Sequence, residues 1–136
     1  MSKHRGHCRC GGVMISVHGE PEVSVYCHCD DCRRSAGAPL IAAAGFRKKN
    51  VTWEASDTLA EYVSGTCTRL FCQRCGSPVA QRHESAADMI FFNTGFMDEP
   101  ENFPPTFHSF EGMQLSWLAL SDTLPRYEKT KVIKVN

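Results

Sequence analysis

Three groups of cysteines carry the chemistry open to this sequence. Cys8 and Cys10 stand near the start, Cys27, Cys29 and Cys32 follow, and Cys72 and Cys75 form a C-x-x-C pair, leaving Cys67 over from a total of eight. On an extended strand alternate side chains share a face, so Cys8 and Cys10 can point at one ion. Cys72-Gln73-Arg74-Cys75 gathers two more thiolates in a turn, and Gly76 can take the backbone angles a tight knuckle demands. Four sulfurs result, the ligand set of a closed structural zinc site. A single iron held by four cysteines is the competing reading, and four small buried apolar residues in a reduced core is the bland one. Pairing of C-x-C with C-x-x-C-G favours the metal.

The middle group is chemically different. Cys27, Cys29 and Cys32 supply three sulfurs, and the residues around them offer no obvious fourth. Structural zinc is closed, whereas catalytic zinc keeps a position for water or substrate, so an incomplete thiolate set marks a site that binds something exchangeable. An exogenous thiol is the natural guest, because zinc lowers its pKa and holds it as the nucleophilic thiolate. Cys67, His28, His83 and His108 are the candidates for a fourth protein ligand. His28 lies between two cysteines on an extended run, which sends its ring to the opposite face and favours a structural or solvent-facing role. A lone cysteine such as Cys67 most often fills space.

The elements that must position these groups read as strands separated by turns. Val13, Ile15 and Val17 alternate with Met14, Ser16 and His18 until Gly19-Glu20-Pro21 breaks the run, and Val23, Val25, Cys27 and Cys29 continue the alternation. Further strands are expected over residues 38–46, 51–55, 59–64, 68–71, 79–82, 89–96 and 115–120, punctuated by Gly65, Gly76, Gly95, Gly112 and Pro104-Pro105. A short helix is expected over residues 30–38, ended by Gly37 and Pro39. Residues 98–105 read as a surface loop, and the aromatic side chains alternate as packed core does. No repeat, low-complexity tract or linker divides the chain, so residues 1–136 are expected to form one domain.

Composition narrows the partners. The 15 basic and 15 acidic residues balance, so no overall charge favours nucleic acid or an anionic membrane. No run approaches the roughly 18 apolar residues of a membrane-spanning helix, and no apolar stretch follows the basic start. The chain is expected in the cytoplasm, where thiols stay reduced and clustered cysteines act as ligands or nucleophiles.

The runs Cys8-Arg9-Cys10-Gly11, Cys27-His28-Cys29-Asp30-Asp31-Cys32-Arg33 and Arg69-Leu70-Phe71-Cys72-Gln73-Arg74-Cys75-Gly76-Ser77 together resemble the glutathione-dependent formaldehyde-activating enzyme family, also called the centromere-protein-V family. The stretch Phe92-Asn93-Thr94-Gly95-Phe96-Met97-Asp98 is similar to that family's glycine-aspartate strand end. Residues 105–108, Trp117 and Leu124-Pro125-Arg126-Tyr127 are similar to its closing segment. The resemblance implies a mainly β, zinc-stapled fold of the β-tent type, shared with Rab accessory factors and methionine sulfoxide reductase B. It also implies two zinc ions, one structural on Cys8, Cys10, Cys72 and Cys75 and one functional on Cys27, Cys29 and Cys32. The implied activity is a carbon–sulfur lyase that forms or splits S-hydroxymethylglutathione from formaldehyde and glutathione. Arg33, directly behind the knuckle, is the expected contact for a glutathione carboxylate, ahead of the solvated run Arg47-Lys48-Lys49. Two other classes stay open: a non-catalytic zinc-binding scaffold, and a redox protein cycling Cys67 with a middle cysteine.

Overall fold

Two sheets enclose the core of this chain, whose computed structural model describes residues 2–130. Strand makes up 44% of the structure, and the only α-helix among the described residues is α1 (Asp30–Ala36). β1 (Lys3–His7), β2 (Val13–His18) and β5 (Val51–Ser56) form an antiparallel three-stranded sheet in the order β1-β2-β5. The larger sheet has seven strands. It uses β3 (Val23–Cys27), β4 (Ile41–Arg47), β6 (Leu59–Ser64), β7 (Cys67–Cys72), β8 (Pro78–His83), β9 (Met89–Asn93) and β10 (Phe107–Ser109), ordered β10-β3-β4-β9-β8-β7-β6. All its neighbours are antiparallel except β10, which lies parallel to β3.

Alternation in β2 does what period-two patterning dictates: Val13, Ile15 and Val17 are buried, and they meet Ala44, Phe46, Leu70, Val79, Ile90 and Phe92 of the large sheet. Phe46, Phe92 and Phe103 are among the largest fully buried side chains, each contributing roughly 1.5–3 kcal/mol by burial. The large sheet also admits a close approach at Gly45, where a Cβ would lie 2.8 Å from the Phe91 ring.

Four local expectations need correction. Cys8 and Cys10 do not lie on a strand: β1 ends at His7, and the chain turns through Gly11 at φ 80°, with Cys8 N donating to Val13 O at 3.0 Å. The run through Val25 stops at Cys27, because Cys29 caps α1 instead of extending β3. The strand from Met89 ends at Asn93, and Thr94–Phe96 is a 3-10 turn. Residues 115–120 are irregular, with Leu118 N bonded back to Leu115 O and Trp117 70% exposed, so this alternating stretch has no sheet edge to join. β1 and β10 were not expected, since neither carries an apolar alternation of useful length. The helix appears as read, closed by Gly37 in the left-handed conformation.

Candidate metal and thiol centres

The first centre joins the β1–β2 turn to the β7–β8 turn. Cys8 and Cys10 come from one, Cys72 and Cys75 from the other, and their four sulfurs lie within 4.8 Å of one another. Sγ of Cys10 is 3.6 Å from both Cys8 and Cys72. A tetrahedron of sulfurs about 2.3 Å from zinc has edges of roughly 3.8 Å, so these residues fit the ion. The local folding explains the convergence. Val13 N donates to Cys8 Sγ at 3.3 Å, Cys75 N to Cys72 Sγ at 3.4 Å, and Gly76, at φ 78°, donates to Cys72 O. These amides favour thiolates, as does Arg74 Nε, 3.2 Å from Cys10 Sγ. Hydrogen bonds from Ser77 draw the Cys75 thiol down to about 5.

The second centre is built where β3 ends and α1 begins. Cys27, Cys29 and Cys32 form a group of three sulfurs within the same 4.8 Å limit, and the Cys27 thiol donates to Cys29 Sγ at 3.5 Å. Cys29 is the helix cap: its sulfur accepts from Cys32 N at 3.3 Å, in the place a serine or aspartate oxygen usually fills. Hydrogen bonds from Cys27 and Cys32, helped by that amide and by the Arg69 charge, draw the Cys29 thiol down to about 2. The Cys27 thiol is pushed up, chiefly by giving its hydrogen bond to Cys29. The capping amide and the nearby Arg69 charge both favour a thiolate in this set, which suits a divalent ion. Among the described residues no fourth cysteine, histidine or carboxylate joins the group.

A cavity of about 530 Å³ opens onto these three sulfurs. Its walls include Val23, Val25, Ile41, Ala43, Phe91 and Phe107, with Arg69 and His83 among its ionisable groups. Cys67 also lines it but lies outside the sulfur group, and burial pushes its thiol up. His83 is likewise on the wall, tilted edge-on to Phe91, and burial and then the Arg69 charge lower its pKa. Phe110 closes another part of the wall with φ 55°, a left-handed backbone that costs a bulky residue of order 1–3 kcal/mol.

Arg33 is half-buried on α1 and outside the cavity lining. The guanidinium that does line it belongs to Arg69, which donates to Asp31 Oδ2 through Nη2 at 2.6 Å and through Nε at 3.3 Å. The same Nη2 lies 3.4 Å from Cys32 Sγ, and Ser64 donates to the other Asp31 oxygen at 2.8 Å. Asp31 is accordingly held below the usual carboxylate range, chiefly by Arg69. The run around Cys72 offered one signal for Arg69, a charge inside the expected strand over residues 68–71.

His28 and His108 are occupied with each other and not with the sulfurs. His28 Nε2 is 2.8 Å from His108 Nδ1, the rings stack at 5.1 Å, and both are fully buried. His108 Nε2 reaches Asp122 at 3.0 Å, and Tyr26 stacks on its face. A carboxylate only accepts, so Nε2 of His108 carries the proton, Nδ1 accepts from His28 Nε2, and His28 Nδ1 is left as a buried acceptor without a partner. The network anchors the backbone between Cys27 and Cys29 from behind.

Two comparisons bear on this arrangement. The family model described as glutathione-dependent formaldehyde-activating enzyme matches residues 3–113. The crystal structure of a Rhodobacter sphaeroides protein superimposes with a TM-score of 0.59, covering 90% of this chain and 99% of that one at 22% identity. At that identity the likeness concerns the fold.

Proposed function

The chain belongs to the glutathione-dependent formaldehyde-activating enzyme family, and from that premise we propose that it is a zinc-dependent carbon–sulfur lyase that joins formaldehyde to a small thiol or splits their adduct. Cys8, Cys10, Cys72 and Cys75 would hold a structural zinc, and Cys27, Cys29 and Cys32 a functional one. When bound at the second set, zinc supplies Lewis acidity that favours the thiolate form of a guest thiol. The observation that carries this reading is the pairing of three gathered sulfurs, without a fourth ligand among the described residues, with an open cavity of about 530 Å³.

The protein's own groups divide the work. Arg69 fixes Cys32, and the helix cap fixes Cys29, so the sulfurs need little rearrangement on binding. Apolar walls exclude water from the electrophile and strengthen charge interactions within the cavity. His83, kept neutral by burial, is the imidazole that can receive the guest's thiol proton. Sulfur then attacks the aldehyde carbon, the carbon–sulfur bond forms as the carbonyl π pair moves to oxygen, and the imidazolium returns its proton there. The reverse order splits the adduct. Glutathione is the thiol in the family's description and the first to assay. Exchange NMR of formaldehyde with glutathione and with simpler thiols provides the test. Interconversion should accelerate with protein and return to the background rate after Cys29→Ser, whereas rates unaltered by protein for every thiol would remove the lyase reading.

A further inference from the structure

We infer that Gln81 is a further catalytic residue of the cavity: its side-chain amide donates a hydrogen bond to the aldehyde oxygen and steadies the negative charge that develops there as sulfur attacks carbon. The inference rests on the lyase reading and adds a group to it.

Placement is the first ground. Gln81 lies on β8 in register with Arg69 of β7 on one side and Phe91 of β9 on the other. Residues opposite one another across a sheet share a face, with Cβ atoms about 4.5–5.5 Å apart. Gln81 therefore stands beside the arginine whose guanidinium reaches Cys32 Sγ at 3.4 Å. Alternate residues of a strand also share a face, which puts His83 about 7 Å further along β8. Gln81, His83 and Arg69 line the same cavity as Cys27, Cys29 and Cys32. The amide thus borders the space in which the thiol, the aldehyde and the imidazole must meet.

The second ground is that this amide is buried and unengaged. Gln81 is 4% exposed, and its side chain makes no hydrogen bond among the described residues. A primary amide carries two donors and an acceptor, and folded interiors rarely leave such groups idle. Both neighbours in its row are turned elsewhere. Arg69 is drawn to Asp31 and Cys32, and the Phe91 ring lies over Gly45, where a Cβ would come within 2.8 Å of it. Thr66 and Ser85 also line the cavity, but both are exposed. A deep amide on the cavity wall is placed to receive a polar atom of a guest.

The chemistry of the step calls for such a donor. As the carbon–sulfur bond forms, the carbonyl π pair moves to oxygen before the His83 imidazolium returns its proton. Gln81 Nε2 donates to that oxygen and gives up no proton, so the proton that ends on oxygen is still the one that left the thiol. A neutral donor fixed in a site poor in water stabilises the developing charge without reorganising. In the splitting direction the same contact holds the oxygen as its proton leaves and the carbon–sulfur bond breaks.

The test uses the full zinc-loaded chain. Gln81→Met keeps the length of the side chain and removes its donors. In exchange NMR with formaldehyde and glutathione it should lower the saturating rate about 10²–10³-fold, with the KM for glutathione and the zinc content unchanged. A variant that exchanges at the wild-type rate overturns the proposal and leaves the lyase reading standing. A raised KM with an unchanged saturating rate does the same, because it places Gln81 against the body of the thiol. A second readout needs no turnover: in isotope-labelled wild type with glutathione bound, the side-chain amide signal of Gln81, assigned through its own backbone, should shift when formamide is added as a carbonyl unreactive toward thiols. A signal that formamide leaves unmoved overturns the proposal, and this measurement decides alone if Gln81→Met fails to fold. Wild-type protein that does not accelerate exchange removes the lyase reading, and this inference with it.

Discussion

The guanidinium of Arg69 donates through Nη2 to the sulfur of Cys32 at 3.4 Å while the same nitrogen holds Asp31 at 2.6 Å. One buried cation on β7 thus orients the Cys32 sulfur on α1 and the carboxylate beside it. Arg74, exposed in the β7–β8 turn, donates to Cys10 Sγ in the other centre, so each cysteine cluster has an arginine beside it.

Arg69→Met should therefore act on metal binding and on stability together. Losing an outer partner of a ligand typically weakens metal affinity about 10–100-fold. Removing charged hydrogen bonds to a half-exposed carboxylate should cost about 1.5–3 kcal/mol. Competition against a chromophoric chelator should register the loss at the second centre alone. Equal weakening of both centres would mean that the substitution acts through global unfolding.

The two centres should respond differently to loss of a ligand. Cys72 is fully buried and ties residues more than sixty positions apart, so Cys72→Ser removes folding-coupled metal binding on the order of 10 kcal/mol and should leave the chain unfolded or insoluble. Cys29→Ser should yield a folded chain that retains one metal ion, since serine still caps α1. Metal analysis with circular dichroism distinguishes them, and equal disruption would overturn the division into structural and functional sites.

Local chemistry was legible before any coordinates, as was the long-range pairing of Cys8 and Cys10 with Cys72 and Cys75, which ligand number dictates; the other long-range pairings were not. C-x-C, C-x-x-C and C-x-C-x-x-C are short-range patterns, so the seven clustered cysteines were read into the groups in which they are found. The helix behind Cys29 was legible for the same reason. Arg69 and Asp31 stand 38 residues apart, and His28 and His108 stand 80 apart. Neither pair has a spacing rule to bring it together: the sheet order sets β10 beside β3, and the tertiary fold brings Asp31 of α1 against Arg69 of β7. The alternation over residues 115–120 failed similarly, because a pattern can suggest a strand without knowing whether an edge is open to it.

Asp122→Ala should loosen the second centre from behind. The carboxylate sets the proton on His108 Nε2, which lets Nδ1 accept from His28 between Cys27 and Cys29. Without it, a fully buried histidine pair loses its terminal acceptor, at about 1–3 kcal/mol. Urea unfolding should register that loss, and a cobalt(II) titration should show a weaker second site with an unchanged first. Wild-type behaviour in both measurements would reduce the network to packing.

Acid should destabilise the fold through His83. Burial lowers its pKa from 6.5, so the unfolded chain binds the proton more readily than the folded one. Its contribution is fully present above pH 6.5 and is lost as pH falls through the folded value. His83→Gln should flatten the stability profile just below pH 6.5, where wild type declines. Parallel profiles for the two proteins would show that the ring titrates freely.

Cys67→Ala should leave both metal ions bound. Its sulfur faces the same cavity as Cys27, Cys29 and Cys32 yet falls outside the group whose ligand atoms converge. Its raised thiol pKa comes from burial, which opposes the thiolate that a ligand must become. Deleting a small buried side chain should cost about 1 kcal/mol, and a guest thiol should bind with unchanged or slightly higher affinity because nothing competes for the metal. Metal analysis and thermal unfolding of the variant decide the matter together. Loss of one ion would make Cys67 the fourth ligand and turn the open centre into a closed one, in which a guest could enter only by displacing it.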